Sequence, residues 1–251
     1  MKKNELFLKF FYLLLQNNVF MNIAIILSGG VGSRMGLNIP KQYMIVKEQP
    51  VLNYCLATFL KHDTIDALVI VVADEWIDFL KEHLSKLHPN KPVFFAKPGE
   101  TRQYSIYNGL KLVHDNGFND NDIVIIHDGA RPLVSHELIE RCLEGCKVAD
   151  GVMPVIPVKD TIYLSEDGKD IQALLNRSHL WAGQAPEAFR FGAYKKIHDA
   201  MNREDLLKIT GSTEIAYKAG LNCQMVDGDP MNFKITTPED LSNFEGLLDQ
   251  K

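Results

Sequence analysis

From residue 22 onward, short apolar runs alternate with longer stretches in which apolar residues recur every three or four positions. Asn22–Leu27 (NIAIIL), Ala67–Ala73 (ALVIVVA), Val93–Ala96 and Asp122–His127 (DIVIIH) read as strands. Most are nearly continuous in apolar and β-branched residues, as expected of strands buried on both faces of a parallel sheet. Val51–Lys61, Glu75–Lys86 and Arg102–Asp115 read as helices, the first opened by Pro50. Further on come a helix carrying Cys142 and Cys146, helices Phe191–Met201 and Thr213–Ala219, strand Asn222–Val226, the segment Asn232–Ile235 and a last helix after Pro238. This alternation predicts an α/β fold in three layers, a mostly parallel sheet with helices on both faces. Ligands in such folds bind beyond the carboxyl ends of the strands.

One stretch breaks the alternation. Thr161–Leu164 (TIYL) and Ile171–Leu175 (IQALL) flank SEDGKD, whose Asp-Gly pair is a hairpin turn signal. The spacing predicts a protruding β-hairpin arm over about residues 159–180. Its apolar side chains need cover, from the surface of the same chain or from a second subunit.

The first twenty residues follow neither pattern. MKKNELFLKFFYLLLQNNVF has a basic start and an apolar stretch, but Lys9 splits the run and no small-residue cleavage site precedes Met21. The stretch is shorter than the ~20 apolar residues of a bilayer span. The expectation is a leader over residues 1–20, with translation naturally starting at Met21 and a catalytic domain over 21–251; an interfacial helix and a targeting signal are the alternatives.

Composition narrows the class. The 251 residues include 27 basic and 32 acidic side chains, a net charge of −5, which argues against a general nucleic-acid-binding surface. Any anion site must be a local cluster of cations. The four cysteines, Cys55, Cys142, Cys146 and Cys223, form no CxxC pair or metal spacing; Cys142 and Cys146, four apart on a helix, are expected as buried free thiols, and a reducing cytoplasm is expected.

The candidate chemistry begins at Leu27. LSGGVGSRMG follows the first strand directly, and Gly29, Gly30 and Gly32 allow backbone N–H groups to surround a polyphosphate without Cβ interference. The turn lacks the Lys-Ser/Thr ending of a P-loop and the GxGxxG spacing of a dinucleotide fold. Arg34 and Lys41 follow, and an arginine and a lysine beside an N–H cradle suit a nucleoside triphosphate attacked at its α-phosphorus.

LSGGVGSRMG, PKQY, PGETRQYSIYNGL, HDGARP, PVKDT, LWAGQAPEAF and NFKITTPEDL, in this order, resemble the cytidylyltransferases that act on 2-C-methyl-D-erythritol 4-phosphate and their relatives acting on D-ribitol 5-phosphate. The resemblance spans about residues 22–245. It implies a Rossmann-like nucleotidyltransferase fold, CTP as substrate, Mg²⁺, and a homodimer that exchanges the hairpin arm, with no nucleic-acid or membrane partner. It implies that Leu27, Ser28, Gly29, Gly30 and Gly32 wrap CTP, and that Arg34, Lys41 and Lys234 are catalytic cations. Gly99, Arg102 and Ser105 fall in its cytosine-reading segment. Asp128 matches the acidic residue near ribose and metal. Arg131, Thr161, Arg177 and Thr210 fall at positions for the acceptor, Thr161 and Arg177 across the dimer interface.

Three departures fall in the acceptor half. Ala185 and Glu187 stand where the family usually has threonine and glutamine, and Gly211 where an aspartate is usual. They leave open which polyol phosphate is accepted, and they motivate the alternative of a non-catalytic CTP-binding homologue.

Overall fold

The protein is represented by a computed structural model that describes residues 20–30 and 39–250. Residues 1–19 of the leader expected over 1–20, and Gly32 and Arg34 of the glycine-rich turn, lie outside the described residues. In chain order the strands are β1 (Asn22–Leu27), β2 (Ile45–Val46), β3 (Gln49–Pro50), β4 (Ala67–Val71), β5 (Val93–Ala96), β6 (Ile123–Asp128), β7 (Gly151–Pro157), β8 (Tyr163–Leu164), β9 (Ala173–Leu174), β10 (Trp181–Gly183), β11 (Glu187–Arg190) and β12 (Cys223–Asp227). The helices are α1 (Val51–Lys61), α2 (Ile77–Ser85), α3 (Arg102–Asp115), α4 (His136–Gly145), α5 (Phe191–Ala200), α6 (Arg203–Lys208), α7 (Ser212–Lys218) and α8 (Pro238–Leu248).

β1 lies at the centre, parallel to β4 on one side and β6 on the other, with β5 extending the sheet beyond β4. Successive side chains of a strand point to opposite faces, so a strand apolar at every position needs a core on each face. Both cores are present. Ala24, Ile26, Leu68, Ile70 and Ile125 pack with α1, α2 and α4. Ile23, Ile25, Val69, Val71, Val124 and Ile126 pack with α3, α5 and α7.

The other half of the sheet is antiparallel at its join. β11 runs against both β6 and β7, β10 continues it along β7, and β12 lies parallel on the far edge of β7. The β10–β11 stretch is broken at Gln184 to Pro186, where the Ala185–Pro186 peptide is cis. The mostly parallel sheet expected from the sequence is present: β7 and β12 run in the same direction as β1, β4, β5 and β6, while β10 and β11 reverse direction. Their runs are too short for periodicity to reveal. β8 pairs antiparallel with β9 outside the main sheet.

A third, smaller core fixes the C-terminal segment. Ile235 and Phe244 are buried against Val46 and Val51, and the Ile235 N–H donates to the Ala130 carbonyl at 2.9 Å. α8 begins with Pro238 after Thr237, whose hydroxyl accepts from the Asp240 N–H while the Asp240 carboxylate accepts from the Thr237 N–H. This anchoring holds Lys234, one residue before Ile235, at the carboxyl end of the sheet.

Two histidines are enclosed by the cores. Burial lowers His127 to about 4 and His198 to about 4 from the ordinary 6.5. Each binds fewer protons folded than unfolded between these values, so stability is complete above the unfolded pKa and falls as pH drops through the window. At about pH 5 the loss is on the order of 2 kcal/mol per histidine. Urea unfolding at pH 7 and pH 5 should show this loss, and His198→Gln should show a smaller one; equal losses in both proteins would refute the assignment.

Candidate active site

The glycine-rich turn leaves β1 at Leu27, which is in register with Val71 of β4 and Asp128 of β6. Ser28 is held there by its N–H and hydroxyl, both donating to the Val71 carbonyl at 2.9 and 2.7 Å. The next residues are stapled from the PKQY segment. Gln42 Nε2 donates to the Ser28 and Gly30 carbonyls, both at 2.7 Å, and the Tyr43 hydroxyl donates to the Ser28 carbonyl at 2.9 Å. Gln42 and Tyr43 are buried in the short 3₁₀ turn Lys41–Tyr43. These bonds fix the backbone at Ser28 and Gly30. A Cβ on Gly29 would lie 2.4 Å from the Pro98 Cβ, so only glycine lets this turn meet the segment before α3.

That segment, Pro98 to Thr101, leads into the first turn of α3. Thr101 caps α3 by accepting from the Tyr104 N–H. The Ser105 hydroxyl accepts from the Gly99 N–H and donates to the Thr101 carbonyl, both at 3.0 Å. Ser105 therefore shapes the turn that carries Gly99. Arg102 points away from this turn, toward β6.

Asp128 ends β6 and is buried. Arg102 Nε and Nη2 both reach its Oδ1 at 3.4 Å, Lys234 Nζ donates to Oδ2 at 3.0 Å, and Arg131 Nε lies 3.5 Å from Oδ2. Burial alone would push the Asp128 carboxyl up; Arg102, Lys234 and Arg131 outweigh it and hold it well below the usual carboxylate range. Arg131 is oriented further by donating to the Asn232 carbonyl at 2.8 Å. The Asn232 amide in turn donates to the Ala185 carbonyl at 2.6 Å.

Arg102 has a second carboxylate. Its Nη2 lies 3.4 Å from Glu187 Oε1 and its Nη1 donates to Ser212 Oγ at 2.5 Å. Burial disfavours the Arg102 charge, but Asp128 and Glu187 more than offset this and raise its pKa. A cavity of about 750 Å³ opens beside these groups, lined by Arg102, Asp128, Arg131, Lys234, Ala185, Glu187, Thr210, Gly211 and Thr213 among others.

The predicted site residues thus fall into three sets. Leu27, Ser28, Gly29, Gly30 and Lys41 belong to the turn and its staple, and Gly99 adjoins it through Pro98. Arg102, Asp128, Arg131, Lys234 and Thr210 meet at the cavity. Thr161 and Arg177 do not line it: both are exposed at the base of the β8–β9 ribbon, where Arg177 donates to the Lys159 carbonyl at 2.9 Å. For Mg²⁺, the protein donors do not form a cage. Both Asp128 oxygens face cations, and no group of three or more His, Cys, Asp or Glu is poised for a metal among the described residues.

The family model of 2-C-methyl-D-erythritol 4-phosphate cytidylyltransferase matches residues 22–250. The chain belongs to this family. It is 37% identical to the enzyme of that name from Clostridium acetobutylicum over 230 residues, covering 91% of this chain and 97% of the relative. It is 34% identical to the ribitol-5-phosphate cytidylyltransferase of Vibrio parahaemolyticus over 230 residues, covering 91% and 96%. The crystal structure of a 4-diphosphocytidyl-2C-methyl-D-erythritol synthase superposes with a TM-score of 0.77 at 27% identity, covering 92% of this chain and all of the other. A 2-C-methyl-D-erythritol 4-phosphate cytidylyltransferase from Francisella tularensis gives 0.74 at 27% identity, covering 90% and 99%.

The chain is a CTP-dependent nucleotidyltransferase, and its glycine-rich turn is preorganised at Ser28 and Gly30. Gln42 supplies part of that order, yet in the sequence it is one polar residue between Lys41 and Tyr43; its buried position was the missing signal. Glu187 was visible only as a departure from the family pattern. Gln42→Leu removes two hydrogen bonds at the rear of the turn and should weaken CTP binding by about tenfold, with unchanged far-ultraviolet dichroism. Calorimetry finding wild-type CTP affinity would show that the turn orders itself without the staple.

Proposed function

We propose that this cytidylyltransferase transfers CMP from CTP to a small polyol phosphate, either 2-C-methyl-D-erythritol 4-phosphate or D-ribitol 5-phosphate, and releases pyrophosphate. The observation that carries this reading is the group of Arg102, Arg131 and Lys234 on Asp128, opening into a cavity large enough for a second substrate. The glycine-rich turn stands on one side of Asp128, next to β1, and the cavity on the other.

An oxygen of the acceptor phosphate forms a bond to the α-phosphorus of CTP. The bond from that phosphorus to the oxygen bridging to the β-phosphate breaks, and its electron pair leaves on pyrophosphate. The attacking oxygen is already anionic, so no side chain has to remove a proton. Bringing the two substrates together gathers about six negative charges, so positioning and cations dominate the catalysis. Lys234 and Arg131 supply charge from the Asp128 side, and Lys41 and Arg34 are assigned to the phosphates on the side of the turn. Mg²⁺ is assigned to the phosphates of CTP, where it would neutralise charge.

Purified protein with CTP, Mg²⁺ and a panel of polyol phosphates should release pyrophosphate with one of the two named acceptors. Lys41→Ala and Lys234→Ala should each lower kcat by at least ~100-fold with the fold intact. CTP binding with no turnover across the panel would instead identify a non-catalytic homologue.

The β8–β9 ribbon is assigned to a homodimer interface. Tyr163, Leu164, Ile171 and Leu174 are all exposed on it, and Thr161 and Arg177 at its base do not line the cavity beside Asp128, which supports a role in a neighbouring site. Four free cysteines suit the reducing cytoplasm, and no helix among the described residues is long and apolar enough to cross a membrane. Light scattering should give a dimer, and the double variant Leu164→Asp, Leu174→Asp should run as a monomer. A wild-type monomer at assay concentration would remove this assignment.

A further inference from the structure

We propose that Glu187 is a positioning residue that sets the affinity for the acceptor, by bracing the wall formed by Thr210 to Thr213 against Asp128. This inference rests on the acceptor occupying the cavity beside Asp128, as assigned above.

Glu187 opens β11 and is buried, although a lone buried carboxylate is costly. Its two oxygens divide their work. Oε2 accepts from the Thr213 N–H at 2.8 Å and from the Thr213 hydroxyl at 2.6 Å. Oε1 faces Arg102 Nη2 at 3.4 Å. Arg102 carries the link to Asp128 Oδ1 and also donates to Ser212 Oγ, the neighbour of Thr213. A short chain of polar groups therefore runs from Asp128 through Arg102 and Glu187 to the first turn of α7.

The wall also has internal order. Glu214 accepts from the Thr210 N–H and hydroxyl at 2.9 Å and from the Gly211 N–H at 3.1 Å. Lys218, followed by these donors, holds its carboxyl down to about 2. These bonds shape the loop but do not attach it to the sheet. Glu187 does so, from a strand whose partner β6 carries Asp128. The Arg102 charge is thereby largely committed within the protein, between two carboxylates, so its part is structural support at the cavity floor. The Glu187 charge balances it there, which keeps Arg131 and Lys234 as the cations directed to phosphate.

A glutamine at this position keeps one oxygen for the Thr213 donors, while its amide would face the Arg102 donors. An alanine keeps neither contact. In Glu187→Ala the acceptor KM should rise at least ~10-fold, and in Thr213→Val about threefold, with the Kd for CTP within about twofold of wild type. Glu187→Gln should restore the acceptor KM to within about threefold of wild type. Hydrogen exchange on the protein without substrates should show faster exchange of the Thr213 amide and of α7 in Glu187→Ala.

An acceptor KM unchanged in Glu187→Ala, a parallel loss of CTP affinity, or a Glu187→Gln variant as impaired as alanine would overturn the proposal. Unchanged exchange at Thr213 would do the same. If Glu187→Ala does not fold, Thr213→Val carries the test, and a wild-type acceptor KM there overturns it. Wild-type protein that turns over neither acceptor would refute the functional reading instead, and the exchange measurement would still decide whether the brace exists.

Discussion

The site depends on one buried carboxylate shared by three cations. Asp128 sits at the end of β6 with Arg102 on one oxygen and Lys234 and Arg131 on the other. Three positive groups this close would repel one another strongly in a partly dehydrated cavity, and a buried carboxylate alone would protonate. Together they compensate, and the cluster keeps a net positive charge at the cavity. An acidic chain with a net charge of −5 thus presents a local cationic floor.

This arrangement also divides the site. β6 is the boundary between the parallel half of the sheet, which carries the glycine-rich turn, and the half reversed by β11, which carries the cavity. On the first side, buried Gln42 and Tyr43 bind the turn through the Ser28 and Gly30 carbonyls, so this half is shaped by backbone geometry. On the second side, side chains from β11, α7 and the Asn232–Ile235 segment converge through Arg102, Glu187 and Asn232. The departures from the family pattern fall on this second side. Ala185 contributes its carbonyl to Asn232, and Glu187 ties Arg102 to Thr213.

The sequence was most legible where a pattern is local. β1, β4, β5 and β6 follow from apolar runs, and α1 and α3 match their periodic stretches residue for residue. α2 starts later than its pattern because Asp74–Trp76 forms a 3₁₀ turn first. β10, β11 and the reversal of direction were not legible, since runs of three and four residues carry too little periodicity. The Asn232–Ile235 segment is partly apolar because Phe233 and Ile235 pack into the third core.

Local residue patterns dictate the class of fold and the backbone character of the glycine-rich turn. Strands apolar on both faces demand two helical layers, and the close spacing of Gly29 and Gly30 after β1 demands a backbone-lined turn. Only the tertiary structure decided which charges act together. Arg102 and Lys234 lie 26 and 106 residues from Asp128, and Glu187 lies 26 residues from Thr213. Residue patterns report neighbours within a few positions of the chain. The meeting of these groups depends instead on strand order and on where Ile235 and β11 are buried, so it exists only once the whole sheet has formed.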